Sequence, residues 1–218
     1  MRGGALADGV VREIPGAVGP LETLLDRPSG PTRAAVVFAH PLPTEGGTMH
    51  TKVVYQGAKA LARIGCEVLR FNFRGVGRSA GEWDRGRGEL DDFRAAVDFM
   101  AARHPDLEIW AAGFSFGSFV ALTAGARDDR VCALAAIAPP VDRYDYAEVK
   151  RSTKPKFIIH GAEDELIPLK KVREFYAQLQ EPKELVVIDR ASHLFDGQAS
   201  EVGDALEDLL GDFSCTKL

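Results

Sequence analysis

The chain has 218 residues, 45% of them hydrophobic and 27% charged, with a formal net charge of −5, which suits one globular domain, residues 1–218, with a core of several layers. An acidic balance with arginines scattered among acids excludes a broad nucleic-acid-binding face. No uninterrupted apolar run reaches the roughly twenty residues of a membrane span. Met1 to Asp8 carries no long apolar segment of signal-peptide type, so a cytoplasmic chain is expected, with its three cysteines as reduced thiols.

Gly9 to Ile14 and Leu21 to Asp26 read as two short strands of an opening hairpin, separated by Pro/Gly turns at Pro15-Gly16 and Gly19-Pro20. Ala34 to Ala39 is an unbroken apolar run, as expected of a strand covered on both faces. It enters the irregular loop His40-Pro41-Leu42-Pro43-Thr44-Glu45-Gly46-Gly47. Met49, Val53, Val54, Gly57, Leu61 and Ile64 then recur at helical steps, and Gly65 ends that helix. Cys66 to Phe71 is a second buried strand, followed by the glycine-laden loop Asn72 to Ser79. Glu89, Asp91 and Asp92 open the next helix, where acids suit the positive end of the helix dipole.

The following strand ends in Gly113-Phe114-Ser115-Phe116-Gly117 and resumes as an alanine-rich helix to about Arg127. Gly-x-Ser-x-Gly at a strand-to-helix turn is the pattern of a nucleophile elbow. Gly113 and Gly117 admit a turn in which a Cβ would collide with a neighbouring element, and the turn sets the Ser115 hydroxyl over the first N–H groups of the helix. Further strands are expected over Val131 to Ala138, Lys156 to Gly161 and Glu184 to Ile188. Helices are expected over Leu169 to Gln180 and from about Glu201 to Phe213. Alternating buried strands and amphipathic helices predict an α/β architecture, a mostly parallel sheet with helices on both faces, whose ligand sites lie at the carboxyl ends of the strands.

A serine elbow needs a base and a carboxylate that orients it. His193 follows the last strand and Asp164 the one before it, so Ser115, Asp164 and His193 come in the expected order. Glu163 and Glu165 are rivals for the acid. His40 is read chiefly as a loop anchor, His160 as a strand-end residue packed near the acid loop, and His50 and His104 as solvated helix positions. Arg74 and Arg78 either meet an anionic substrate group or form ion pairs that hold their loop. No histidine and acid cluster has metal-ligand spacing, no Gly-rich loop fits a nucleotide, and no cofactor is expected.

From about Gly9 to Phe213 the chain resembles an α/β-hydrolase. Within that superfamily, His40-Pro41-Leu42-Pro43 with Gly46-Gly47-Thr48-Met49, Phe71-Asn72-Phe73-Arg74-Gly75-Val76-Gly77-Arg78-Ser79, and the elbow resemble small bacterial hydrolases near the dienelactone-hydrolase and prolyl-oligopeptidase-like branches. The resemblance implies an eight-stranded sheet with its second strand antiparallel, a Ser-Asp-His triad, and ester or related acyl bonds as substrates. Dienelactone hydrolases carry cysteine at the elbow and this chain has serine, so lactone specificity is not carried over.

The resemblance also implies two backbone oxyanion donors, one directly after the nucleophile at Phe116 and one in the loop after the first long parallel strand. Pro41 and Pro43 have no N–H, which leaves Leu42 there. Residues 139–155 are too few for a large cap, so the site is expected to be open to bulky substrates or completed by a partner subunit as in a homodimer. His40, Phe114, Tyr144 and Tyr146 are the expected pocket residues. The expected activity is acyl transfer from a small-molecule ester or thioester. The alternatives are a peptidase and a silent small-ligand-binding protein of the same fold.

Overall fold

The computed structural model describes residues 11–215; Met1 to Val10, with the start of the first expected strand, and the last three residues lie outside it. Eight strands form one sheet: β1 Glu13–Gly16, β2 Gly19–Asp26, β3 Ala34–Ala39, β4 Cys66–Phe71, β5 Glu108–Phe114, β6 Val131–Ile137, β7 Lys156–Gly161 and β8 Lys183–Ile188. Their order is β1-β2-β4-β3-β5-β6-β7-β8. β2 runs antiparallel to β1 and β4, and every other pairing is parallel. The opening hairpin differs from the sequence expectation: Pro15, Gly16, Gly19 and Pro20 all pair within it, and the turn falls at Ala17 and Val18.

The helices are α1 Lys52–Arg63, α2 Gly88–Arg103, α3 Phe116–Arg127, α4 Ala147–Arg151, α5 Leu169–Ala177 and α6 Ala199–Leu210. Period-two alternation divides each central strand between two cores. Ala35, Val37 and Ala39 of β3 join Phe93 and Val97 of α2, Val120 of α3 and Val172 of α5 on one face. Ala34, Val36 and Phe38 meet Val53 and Leu61 of α1 with Val202 and Leu206 of α6 on the other. Because both faces are covered, β3, β4 and β7 are buried at every position, which is why β3 reads as an unbroken apolar run, while β4 and β7 also bury Glu67, Arg70, Lys156 and His160. Gly65, with φ +91°, ends α1 in the left-handed region.

Two of the three thiols are not reduced as expected. Cys132 and Cys215, 83 residues apart in sequence, form a disulfide. It holds the chain after α6 to the start of β6, while Cys66 is buried and unpaired, its thiol pushed up to about 11 by burial. Phe213 packs edge-on against Trp110 and Phe157. The Arg33 guanidinium donates to the carbonyls of Leu210 and Gly211, so the last turn of α6 is tied to the same end of the sheet.

Candidate active site

At the carboxyl end of β5 the chain turns through Ser115, which has φ +50° and ψ −119°, a conformation that a non-glycine residue adopts only where its surroundings over-determine it. Those surroundings are the two glycines. A Cβ on Gly113 would stand 2.2 Å from the Gly117 carbonyl oxygen, and one on Gly117 would stand 2.4 Å from the His40 oxygen and 2.5 Å from the Ala39 oxygen. The elbow is therefore wedged between its own helix and the end of β3. The Ser115 amide donates to Ile137 O at 2.8 Å, and the Ser118 hydroxyl donates to Ser115 O at 2.6 Å.

Ser115 Oγ lies 2.9 Å from His193 Nε2, and His193 Nδ1 lies 2.8 Å from Asp164 Oδ2. The second carboxylate oxygen, Oδ1, accepts from the amides of Leu166 at 2.9 Å and Ile167 at 2.7 Å. Burial pushes the Asp164 carboxyl up, but the hydrogen bonds from His193 and the Ile167 amide outweigh it and the net displacement is downward, so it is an anion. With an acceptor opposite Nδ1, that nitrogen carries the imidazole proton and Nε2 is left free to accept one from the serine. Glu165 takes a different part from the one it was a rival for: its Oε2 accepts the His193 amide at 3.1 Å and fixes the backbone of the base. The two loops are drawn together at Gly161, where a Cβ would stand 2.3 Å from Ala191 O.

Leu42 borders the same cavity as Ser115, and Phe116 supplies the first amide of α3, which by its position has no acceptor within the helix. His40 is fully buried outside that cavity. Its Nδ1 donates to Pro41 O at 2.7 Å and its Nε2 accepts from the Phe73 amide at 3.1 Å. Burial depresses its pKa to about 4, against a smaller upward pull from the Pro41 carbonyl.

The other expected pocket residues are also elsewhere. Phe114 is buried in the core beside His193 and Phe195. Tyr144 stacks on Phe119 at 4.1 Å, and Tyr146 is buried against Phe119 and Phe175. The linker between β6 and β7 thus lays its aromatic rings on α3 and α5, forms the single short α4, and leaves the rim uncapped.

The cavity holds about 310 Å³ and is bordered by Pro41, Leu42, Gly46, Gly47, Ser115, Pro140, Leu166, Ile167, His193 and Leu194, with Glu45 and Arg143 as its charged members. Leu166 and Leu194 are large apolar side chains left about half exposed, at 48% and 54%. Sequence reasoning missed them, although each sits within two residues of an expected active-site residue. A larger groove of about 470 Å³ runs along the sheet edge beside Glu22, Leu24 and Arg78, but no serine or cysteine borders it.

Arg74 and Arg78 are engaged by acids. Arg74 is buried in a forked pair with Asp92, and exposed Arg78 pairs with Glu22. His104 follows α2 and pairs with Glu67 instead of standing in solvent. Glu108, Cys132 and Cys215 bring metal-ligand atom types within 4.8 Å of one another among the described residues. Two of those sulfurs form the disulfide, and the group lies at the opposite end of β5 from Ser115.

Residues 30–152 match the family model of the serine aminopeptidase, S33 family, and residues 126–214 match the model of PhoPQ-activated pathogenicity-related proteins. Among solved structures, an α/β serine hydrolase homologue of Coxiella burnetii is 37% identical, with 94% of this chain and 98% of that one covered at a TM-score of 0.88. XC6422 of Xanthomonas campestris, an α/β serine hydrolase without a lid, is 37% identical with 92% of each chain covered and a TM-score of 0.84. The uncharacterized protein RP471 of Rickettsia prowazekii is 32% identical over 204 residues, 89% of this chain and 86% of that one.

Proposed function

The chain belongs to the serine aminopeptidase, S33 family and to the α/β-hydrolase superfamily, and on that premise we propose that it is a serine hydrolase of carboxylesterase or thioesterase type, cleaving an ester-like acyl bond through an acyl-enzyme. Membership supplies the architecture and the serine chemistry, and the bond cleaved is argued from the site. The observation that carries the reading is the continuous line of hydrogen bonds from Ser115 Oγ to His193 Nε2 and from His193 Nδ1 to Asp164, at 2.9 and 2.8 Å.

In the first step His193 accepts the Ser115 proton at Nε2 as Oγ attacks the acyl carbonyl. The N–H groups of Leu42 and Phe116 receive the negative charge that develops on the carbonyl oxygen, and His193 returns the proton to the departing alcohol or thiol. Water, deprotonated by the same nitrogen, then releases the acid and restores the serine. Asp164 holds the imidazole tautomer and stabilises the imidazolium of each half-reaction. The lining of Leu42, Pro140, Ile167, Leu166 and Leu194 suits an apolar acyl group, and the open rim tolerates a leaving group that extends into solvent.

A fluorophosphonate probe tests the reading directly. Stoichiometric labelling of the wild type that disappears in Ser115→Ala supports it, whereas no labelling of the wild type points to a silent ligand-binding protein. Peptide bonds are the second reading, favoured by the aminopeptidases of the matched family; amide substrates assayed beside esters and thioesters of the same acyl group distinguish the two.

A further inference from the structure

His160 is the penultimate residue of β7, four residues before Asp164, and is fully buried. Its Nε2 lies 2.8 Å from Ile167 O and 3.5 Å from Asp164 Oδ2. Both neighbours are acceptors, so Nε2 carries the ring proton and Nδ1 is a bare acceptor. Nδ1 is also buried with no hydrogen-bond partner. Burial holds the ring below the ordinary histidine range, in keeping with a neutral imidazole. A leucine of similar volume would remove the orphaned Nδ1 but would also take the donor away from the buried Ile167 carbonyl, so the imidazole is kept for its N–H although one of its nitrogens goes unpartnered. What the imidazole contributes is one N–H, aimed at the loop that carries the acid.

That loop spans only Asp164 to Ile167. Its own amides hold Asp164 Oδ1, and His193 holds Oδ2. Neither contact ties the loop to the sheet. At its near end the Asp164 amide reaches Gly161 O of β7 at 3.4 Å, and at its far end the bond from His160 Nε2 to Ile167 O ties it to β7, where His160 pairs with Val187 of β8. We infer that His160 is a positioning residue for the acid of the proposed triad: its N–H sets the far end of the loop so that Asp164 Oδ2 meets His193 Nδ1. The inference rests on the reading of Ser115, His193 and Asp164 as catalytic.

His160→Leu removes the N–H, and His160→Gln keeps an amide N–H near the same place. The leucine variant is expected to fold, to hold KM for a short-chain ester within about twofold, and to lose kcat by about ten- to a hundredfold, the scale on which small misplacements act. The glutamine variant is expected to recover most of that loss. In the wild type the His193 Nδ1 proton, bonded to a carboxylate, should give a low-field proton resonance that is lost in His160→Leu and restored in His160→Gln. If the leucine variant does not fold, His160→Asn, whose amide is too short to reach Ile167 O, takes its place in the same comparison. Wild-type kcat together with an unaltered low-field resonance in the variant lacking the N–H overturns the inference. The underlying reading fails separately: ester turnover that survives in Ser115→Ala sinks the proposed triad, while turnover abolished there but intact in His160→Leu sinks only the role of His160.

Discussion

The backbone amide of Phe73, just past β4, donates at 3.1 Å to Nε2 of His40, just past β3. This one bond ties the loop carrying Leu42 to the loop carrying Arg74, and it requires an unprotonated nitrogen. The unfolded imidazole takes up its proton near pH 6.5 and the folded one near pH 4. Between those values the unfolded chain binds more protons, so stability falls as the pH is lowered through the window and is fully present above it. The integrated loss is of order 3 kcal/mol. Urea unfolding at several pH values should show this slope in the wild type and a flatter one in His40→Leu, whatever that variant's absolute stability. Some slope remains there, because burial depresses His160 in the same direction.

Gly117 is packed against backbone, which cannot move aside as a flexible side chain can. A methyl group there would overlap the carbonyls of His40 and Ala39. Gly117→Ala is therefore expected to cost on the order of 4 kcal/mol, from combined overlap and strain at the elbow, with urea denaturation as the measure. Ser115→Ala, which removes only the bond from Oγ to His193 Nε2 and introduces no overlap, is expected to stay within about 1 kcal/mol of the wild type.

These two residues mark where the site was legible in the amino-acid order. A pattern works when local chemistry alone dictates geometry: glycines at both sides of Ser115 allow one turn, and unbroken apolar runs such as Ala34 to Ala39 demand cover on both faces. Asp164 and His193 could be found because they follow consecutive strands, and parallel strands deliver their ends to one rim. Tyr144 and Tyr146 could not, since the direction of a linker's aromatic rings depends on which surface offers partners. Phe119 and Phe175 offer theirs on α3 and α5, away from Ser115. The Cys132–Cys215 bond was equally hidden, because its two ends meet only after β6 and α6 have packed.

Leu166 and Leu194 border the cavity from the acid and base loops and are about half exposed. An acyl chain seated there would cover them. Truncating each to alanine should cost about 1 kcal/mol of binding to a medium-chain ester, or roughly a fivefold rise in KM, with little change in kcat. Esters of graded chain length provide the check, since an acetyl group too short to reach the leucines should be insensitive to both substitutions. Equal effects on acetyl and longer esters would place the acyl group elsewhere.

The disulfide joins Cys215 to the start of β6, far along β5 from the elbow. Cys215→Ser is expected to lower stability by about 2 to 4 kcal/mol and to leave ester turnover unchanged. Urea titrations with and without a thiol reductant should show that reduction lowers the wild type to the level of the variant and leaves the variant where it was.

Leu42 offers the most selective test of the oxyanion donors. Its backbone angles, φ −53° and ψ 119°, already lie where proline's ring holds φ. The Leu42 amide donates no backbone hydrogen bond among the described residues, so Leu42→Pro fits without rebuilding the loop. The Leu42 carbonyl still accepts from the amides of Glu45 and Gly47, at 3.2 and 3.0 Å, and the local turn survives. What disappears is one N–H of a residue that borders the same cavity as Ser115, along with part of an apolar side chain. If that N–H receives the charge of the tetrahedral intermediate, kcat should fall by about 10² to 10³, while circular dichroism and the thermal midpoint stay near those of the wild type. Leu42→Ala supplies the control: it trims the side chain and keeps the amide, so it should shift KM far more than kcat. A proline variant that matched alanine in kcat would assign the oxyanion to another donor.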